Sequence, residues 1–167
     1  MPNPLLRLAT PDDCQPVIEL LTQVWEEERR PDRWQADLQE QTDCGDGARR
    51  GVWVLDDAGA VVSVAVVHRQ SPKEIAGRIW PVYLAYLITD EQHRGRGYSA
   101  LLENHVMAEL ARQGRPGAYL KVHKEDADWE KALGFWKHQG WEQPAGSTNT
   151  HVLMTKDTAL PSAQGLL

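Results

Sequence analysis

A chain of 167 residues, 41% hydrophobic and 25% charged, has the size and balance of one soluble globular domain. Its formal net charge of −6 argues against a nucleic-acid binder, which needs a basic surface, and favours the approach of cationic small molecules such as amines. No apolar run is long enough to span a bilayer, Met1-Pro2-Asn3-Pro4 begins no signal peptide, and Cys14 and Cys44 form no CxxC pair or zinc spacing. The expectation is a cytoplasmic protein with reduced thiols, no metal, no membrane contact and no nucleic-acid partner.

In chain order, Leu5 to Ala9 reads as a short strand. Thr10-Pro11-Asp12-Asp13 is a helix-start signal, with a capping residue, a first-turn proline and acids at the positive dipole end. Val17, Ile18, Leu21, Val24 and Trp25 keep helical spacing, and Glu26-Glu27-Glu28-Arg29-Arg30-Pro31 ends that helix in charge. The three glutamates read as a solvated helix end that is also able to attract a cationic amine. A second helix is expected over Asp32 to Gln41, with Trp34 and Leu38 one turn apart, and a loop over Asp43 to Gly47. Trp25 and Trp34 read as core before they read as a lid.

Val52 to Leu55, the turn signal Asp56-Asp57-Ala58-Gly59, and Val61 to Val67 form a hairpin whose second arm is apolar enough to be buried on both faces. Ser71 to Glu74 reads as loop. Val82 to Ile88 is a further strand, Tyr98 to Gln113 a helix striped by Leu102, Val106 and Leu110, and Ala118 to Val122 a strand. Asp128 to Gln139 is helical. Trp141-Glu142 and Thr150 to Met154 are short final strands, followed by a frayed tail over residues 157–167. The order implies an α/β fold with one mixed sheet, in a single domain over residues 1–156.

The chemistry concentrates between Tyr86 and Ser99. A buried strand leads through Thr89-Asp90-Glu91 into Gln92-His93-Arg94-Gly95-Arg96-Gly97, and a helix opens at Tyr98. Gly95 and Gly97 let the backbone approach a bulky anion, and the first turn of the helix offers unpaired N–H groups and its positive dipole end. Arg94 and Arg96 supply charge-assisted contacts to a pyrophosphate.

This stretch resembles the Q/R-x-x-G-x-G/A signature of the GNAT N-acetyltransferase superfamily. Ala132 to Trp141 resembles the family's A-x-x-x-Y-x-x-x-G-F block, and the resemblance covers about Leu5 to Lys156. It implies a GNAT-like fold: a central mixed sheet whose middle strands splay around Tyr86 and Lys121 to admit an acetyl thioester. It also implies acetyl-CoA as co-substrate, in a monomer or homodimer. The pyrophosphate would rest on Gln92, Arg94, Gly95, Arg96, Gly97, Tyr98 and Ser99, and the pantetheine arm on the main chain of Leu87 and Ile88. An acceptor amine would attack the thioester directly, after losing its ammonium proton.

The sequence departs from the pattern where acid and base are expected. The family's tyrosine aligns with Trp136 and its asparagine with Trp129, and Trp80-Pro81-Val82-Tyr83 carries no carboxylate. His123 at the end of its strand, and Tyr83 and Tyr86 on the neighbouring strand, are the substitutes for proton transfer. Two rival readings follow. One is a non-catalytic acyl-CoA sensor of the same fold. The other is a dinucleotide site on Gly95-Arg96-Gly97-Tyr98-Ser99-Ala100, disfavoured by the five residues between Thr89 and Gly95.

Overall fold

The apolar run at Val61 to Val67 becomes a central strand of a mixed sheet. The computed structural model describes residues 3–144, 148 and 150–158. In chain order the elements are β1 (Leu5–Leu8), α1 (Cys14–Leu21), α2 (Pro31–Cys44), β2 (Arg50–Asp57), β3 (Ala60–His68), β4 (Lys73–Ile75) and β5 (Arg78–Trp80). They continue as β6 (Val82–Thr89), α3 (Tyr98–Arg112), β7 (Gly117–His123), α4 (Trp129–His138) and β8 (His151–Asp157). The hydrogen-bonded order is β1-β2-β3-β6-β7-β8, with β4-β5 a separate hairpin. The chain divides into two compact units, Met1–Arg69 with Tyr86–Val106 and Gln70–Ala85 with Met107–Leu167. Among the described residues no helix is long and apolar enough to cross a membrane.

In the first unit β1, β2 and β3 form an antiparallel meander. Ala58 and Gly59 turn the β2-β3 hairpin at φ of 54° and 91°, the left-handed pair that matches strand twist. Val52 and Val54 of β2 and Val64 and Val66 of β3 pack against Val17, Ile18 and Leu21 of α1 and Trp34 and Leu38 of α2. Residues 62–67 are all buried, as their near-continuous apolarity requires, with Ser63 the single polar residue among them. Arg7 holds Asp13 through two bonds of 2.7 and 3.0 Å and reaches Asp56 at 3.2 Å. Gln41 of α2 clamps β1 to β2. Its amide donates to the carbonyls of Ala9 and Val52, both at 3.0 Å, and accepts from the Val52 N–H at 2.8 Å.

In the second unit β6 pairs in parallel with β7 at Val82↔Ala118 and Tyr83↔Tyr119, and β7 pairs antiparallel with β8 over seven residues. Trp80 lies over Gly117, where a Cβ would come within 2.5 Å of the indole, and the Arg78 guanidinium stacks 3.8 Å above the same ring.

The structure corrects the sequence reading at five places. Helix α1 stops at Leu21, short of Val24 and Trp25, because the chain leaves the helix to bring Trp25 onto Tyr86. Helix α2 runs on to Cys44, where Gly45 ends it at a φ of 56°. The expected loop at Ser71 to Glu74 runs into the β4-β5 hairpin, turned by Ala76 and Gly77 at φ of 51° and 82°. Trp141-Glu142 makes only the bridge Glu142↔Thr155, while Asp157 ends β8 and Thr158 is buried, its hydroxyl donating to the Arg115 carbonyl at 2.6 Å. Residues 159–167 of the expected tail lie outside the described residues.

Replacing Gln41 by Ala takes the partner from the Ala9 carbonyl, just after β1, and from the Val52 N–H of β2, while the Val52 carbonyl keeps the Ala9 N–H. Gln41→Ala is expected to lower unfolding stability by about 2–3 kcal/mol, since each orphaned buried group costs about 1–3 kcal/mol. Urea unfolding of the two proteins measures this, and a loss near zero contradicts the clamp.

Candidate active site

The turn from β6 into α3 lies wholly in the first unit and is fixed by hydroxyl groups. Ser63 of β3 donates to the Ile88 carbonyl at 2.9 Å and meets the Thr89 hydroxyl at 2.9 Å, and Thr89 meets the Ser99 hydroxyl at 2.6 Å. The end of the strand is thereby tied to the first turn of the helix. Between them Asp90 gathers His93 Nδ1 at 2.8 Å and the Gln23 amide at 3.0 Å, and these bonds, Gln23 first, hold its carboxyl below the usual carboxylate range. Gly95 and Gly97 take φ of 80° and 77°. A Cβ at either would meet nothing within 4 Å, so backbone conformation demands glycine here, and the space beside it is open. The Leu101 amide donates to the Gly97 carbonyl at 3.1 Å. The amides of Tyr98, Ser99 and Ala100 therefore have no acceptor within the helix. This is a cradle suited to a pyrophosphate.

The strand contributes one main-chain edge. The Ile88 carbonyl and the Asp90 amide, the latter donating to Val62 at 2.8 Å, both turn towards β3. Alternation turns the main chain of Leu87 and Thr89 to the other edge. There the Arg94 guanidinium donates to the Thr89 carbonyl at 3.3 Å. Of the two residues expected to meet a pantetheine arm, Leu87 presents its main chain on the outer edge and Ile88 faces the sheet. Gln92, Arg94 and Arg96 are exposed around the turn, and Tyr98 donates to Asp57 at 3.0 Å.

The two residues expected to move protons lie in the second unit. Tyr83 stacks on Tyr119 with ring centroids 4.9 Å apart, and burial raises its phenol above the ordinary range. His123 ends β7 with its side chain 41% exposed, Nδ1 3.9 Å from Glu125 and its ring 6.3 Å from that of His151. Tyr83 is in register with Tyr119, four residues before His123, which separates the two by about 13 Å of strand at about 3.3 Å per residue. Trp136, at the family's tyrosine position, packs edge-on against Phe135 and Trp141. Cys14 and Cys44 are free thiols, Cys14 buried and Cys44 exposed.

The sequence reading missed one arrangement. Of the three consecutive glutamates, Glu26 pairs with Arg29 in solvent and Glu27 is exposed, but Glu28 is only 5% exposed. The 3-10 turn Glu26–Glu28 swings it inward. It accepts from the Tyr86 hydroxyl at 2.7 Å, from Arg30 at 3.0 and 3.1 Å, and from the Trp34 indole at 3.1 Å. Burial alone would raise its pKa. The bonds from Tyr86 and Arg30, the charge of Arg30 and the Trp34 bond outweigh it and hold the carboxyl below the usual range. Trp34 itself is fully buried core. No local pattern marks Glu28 apart from its neighbours, since its partner Tyr86 lies 58 residues away.

The family model of the acetyltransferase (GNAT) domain matches residues 6–142. The chain belongs to the GNAT acetyltransferase family. No curated protein matches it. It is similar in fold to an acetyltransferase from Thermus thermophilus (TM-score 0.67, 18% identity, 93% of this chain and 97% of that one). It is likewise similar to an N-acetyltransferase from Staphylococcus aureus (0.71, 13%, 94% and 99%). A third structure is PaiA N-acetyltransferase from Thermoplasma acidophilum in complex with coenzyme A (0.65, 13%, 93% and 99%).

At the end of β3, burial and then the charge of Arg50 lower the His68 imidazole from 6.5 to about 4. Between these values the unfolded chain binds a proton that the folded chain refuses, so stability falls as pH drops from about 6.5 to about 4. In His68→Asn the dependence of melting temperature on pH in that window is expected to flatten. An unchanged slope contradicts a neutral His68.

Proposed function

We propose that the protein transfers the acetyl group of acetyl-CoA to a primary amine of a small molecule, by direct attack in a ternary complex. The observation that carries this reading is the open cradle formed by two left-handed glycines, Gly95 and Gly97, and the amides that begin α3 and have no acceptor within the helix. The residues present fit the co-substrate. The amides of Arg94 to Ser99 would hold the pyrophosphate, with Gln92, Arg94 and Arg96 adding side-chain contacts, and the main chain of Leu87 would guide the pantetheine arm, the Ile88 carbonyl being taken by Ser63.

The chemistry asks little of the leaving group, because a thiol is acidic enough (pKa about 8.5) to depart as thiolate. It asks more of the amine, which is protonated in water and has no lone pair until it loses that proton. We assign proton removal to His123, whose imidazole is open to water. Tyr83 keeps its proton across the neutral range and serves as a hydrogen-bond donor. The acidic chain favours cationic acceptors. Two free thiols fit a reducing compartment such as the cytoplasm. One observation favours a second reading, a non-catalytic acyl-CoA sensor: Trp136 has no acidic proton to give.

Calorimetry with acetyl-CoA tests the cofactor site. Gly97→Glu sets bulk and negative charge in the cradle and is expected to weaken binding about a hundredfold or more, equivalent to about 2.7 kcal/mol. Unchanged affinity contradicts the assigned site. Thiol release with acetyl-CoA and four primary amines (butane-1,4-diamine, lysine, an aminoglycoside and a tripeptide) separates the two readings. Turnover on any of them excludes the sensor, and binding without turnover on all of them favours it.

A further inference from the structure

A carboxylate that is almost wholly buried needs partners for its acceptor positions. Glu28 has four contacts from three side chains, two of which can only donate: the Arg30 guanidinium and the Trp34 indole. Tyr86 is the one partner with a choice, because a phenol donates one hydrogen and accepts through its oxygen. Facing an ionised carboxylate oxygen at 2.7 Å, it must donate. Its hydrogen is therefore turned inward.

We propose that Glu28 is a positioning residue that locks the Tyr86 phenol with its proton committed, so that the phenolic oxygen serves the acceptor amine only as a hydrogen-bond acceptor. The proposal rests on the acetyl-transfer reading above and deepens it by naming what selects an amine. A partner for this oxygen must bring an N–H or O–H of its own, which an ammonium or amine does and an ester or ether does not. Trp25 packs against Tyr86 with ring centroids 4.6 Å apart and planes tilted by 46°. The two rings add aromatic faces that favour a cation over a neutral group. Tyr86 immediately precedes Leu87, so it lies along β6 on the side away from the pyrophosphate turn, the direction in which an acyl arm laid on this strand would run. No proton passes to Glu28. The carboxylate stays ionised and acts through the orientation of Tyr86.

The test uses the full-length protein and its Tyr86→Phe, Glu28→Gln and double variants with the same four amines. Steady-state kinetics, calorimetry with acetyl-CoA, and tryptophan fluorescence of the CoA-loaded protein titrated with each amine are the readouts. Tyr86→Phe removes the accepting oxygen but leaves Glu28 paired with Arg30 and Trp34, so the fold persists, and melting temperature checks this. It is expected to lower kcat/KM for amines about tenfold or more, with acetyl-CoA affinity unchanged. Glu28→Gln offers the phenol an N–H, lets its hydrogen turn outward, and is expected to cause a similar loss.

Because Glu28 acts only through Tyr86, the double variant is expected to be no worse than Tyr86→Phe, a non-additivity that a merely structural carboxylate would not give. Wild-type kcat/KM in Tyr86→Phe, multiplied losses in the double variant, or a loss confined to acetyl-CoA affinity overturns the proposal. So does the absence of any saturable amine effect on the CoA-loaded wild type. That last result leaves the acetyl-CoA reading standing, since calorimetry measures it separately.

Discussion

Three hydroxyls hold the first unit's chemistry in place. Ser63, Thr89 and Ser99 hydrogen-bond in series at 2.9 and 2.6 Å, and Ser63 also holds the Ile88 carbonyl. Ser63 is fully buried and Thr89 6% exposed, so each oxygen needs these partners. The chain of bonds ties the sheet, the end of β6 and the first turn of α3 into one rigid corner. The residues between must then make a tight excursion, which Gly95 and Gly97 permit by adopting left-handed backbone. The first amides of α3, which have no acceptor within the helix, consequently point from a fixed position. For anion binding this matters as much as the number of donors, because donors already in place need no reorganisation when the ligand arrives.

The same corner decides which edge of β6 can act. With Ile88 turned to β3, alternation leaves Leu87 and Thr89 outward, and Arg94 secures the Thr89 carbonyl. One residue before Leu87 a side chain takes over. Tyr86 reaches Glu28, which the 3-10 turn after α1 carries inward. Burying a carboxylate costs several kcal/mol unless it is well paired, and here an arginine, an indole and a phenol share the task. Asp37, also buried, is paired in a similar way with Arg50, beside the Trp34 ring.

Much of this was readable from sequence because it is local. The strand, the glycines and the helix from Tyr86 to Arg112 follow from periodicity and turn chemistry, and the structure reproduces them to within a residue or two. The end of α1 was not readable. Val24 and Trp25 continue the apolar stripe, and only the distant ring of Tyr86 gives Trp25 a reason to leave the helix. The β4-β5 hairpin was hidden because its strands are three residues long, too short for alternation to register. Glu28 was read as solvated together with Glu26 and Glu27 because charge in sequence carries no burial. The difference between Leu87 and Ile88 needs strand parity relative to β3, a tertiary fact. The catalytic side was the least legible, since Trp129 and Trp136 replace the groups by which the family pattern is recognised.

The central claim is that main-chain amides of one strand-turn-helix corner receive an acyl-CoA. A titration of the nitrogen-15-labelled protein with coenzyme A, followed by amide correlation spectra, tests it most directly. The account predicts saturable shifts concentrated at Gly95, Gly97, Tyr98, Ser99 and Ala100, with Leu87 shifting more than Ile88. Binding that leaves these amides unmoved while others shift would contradict it.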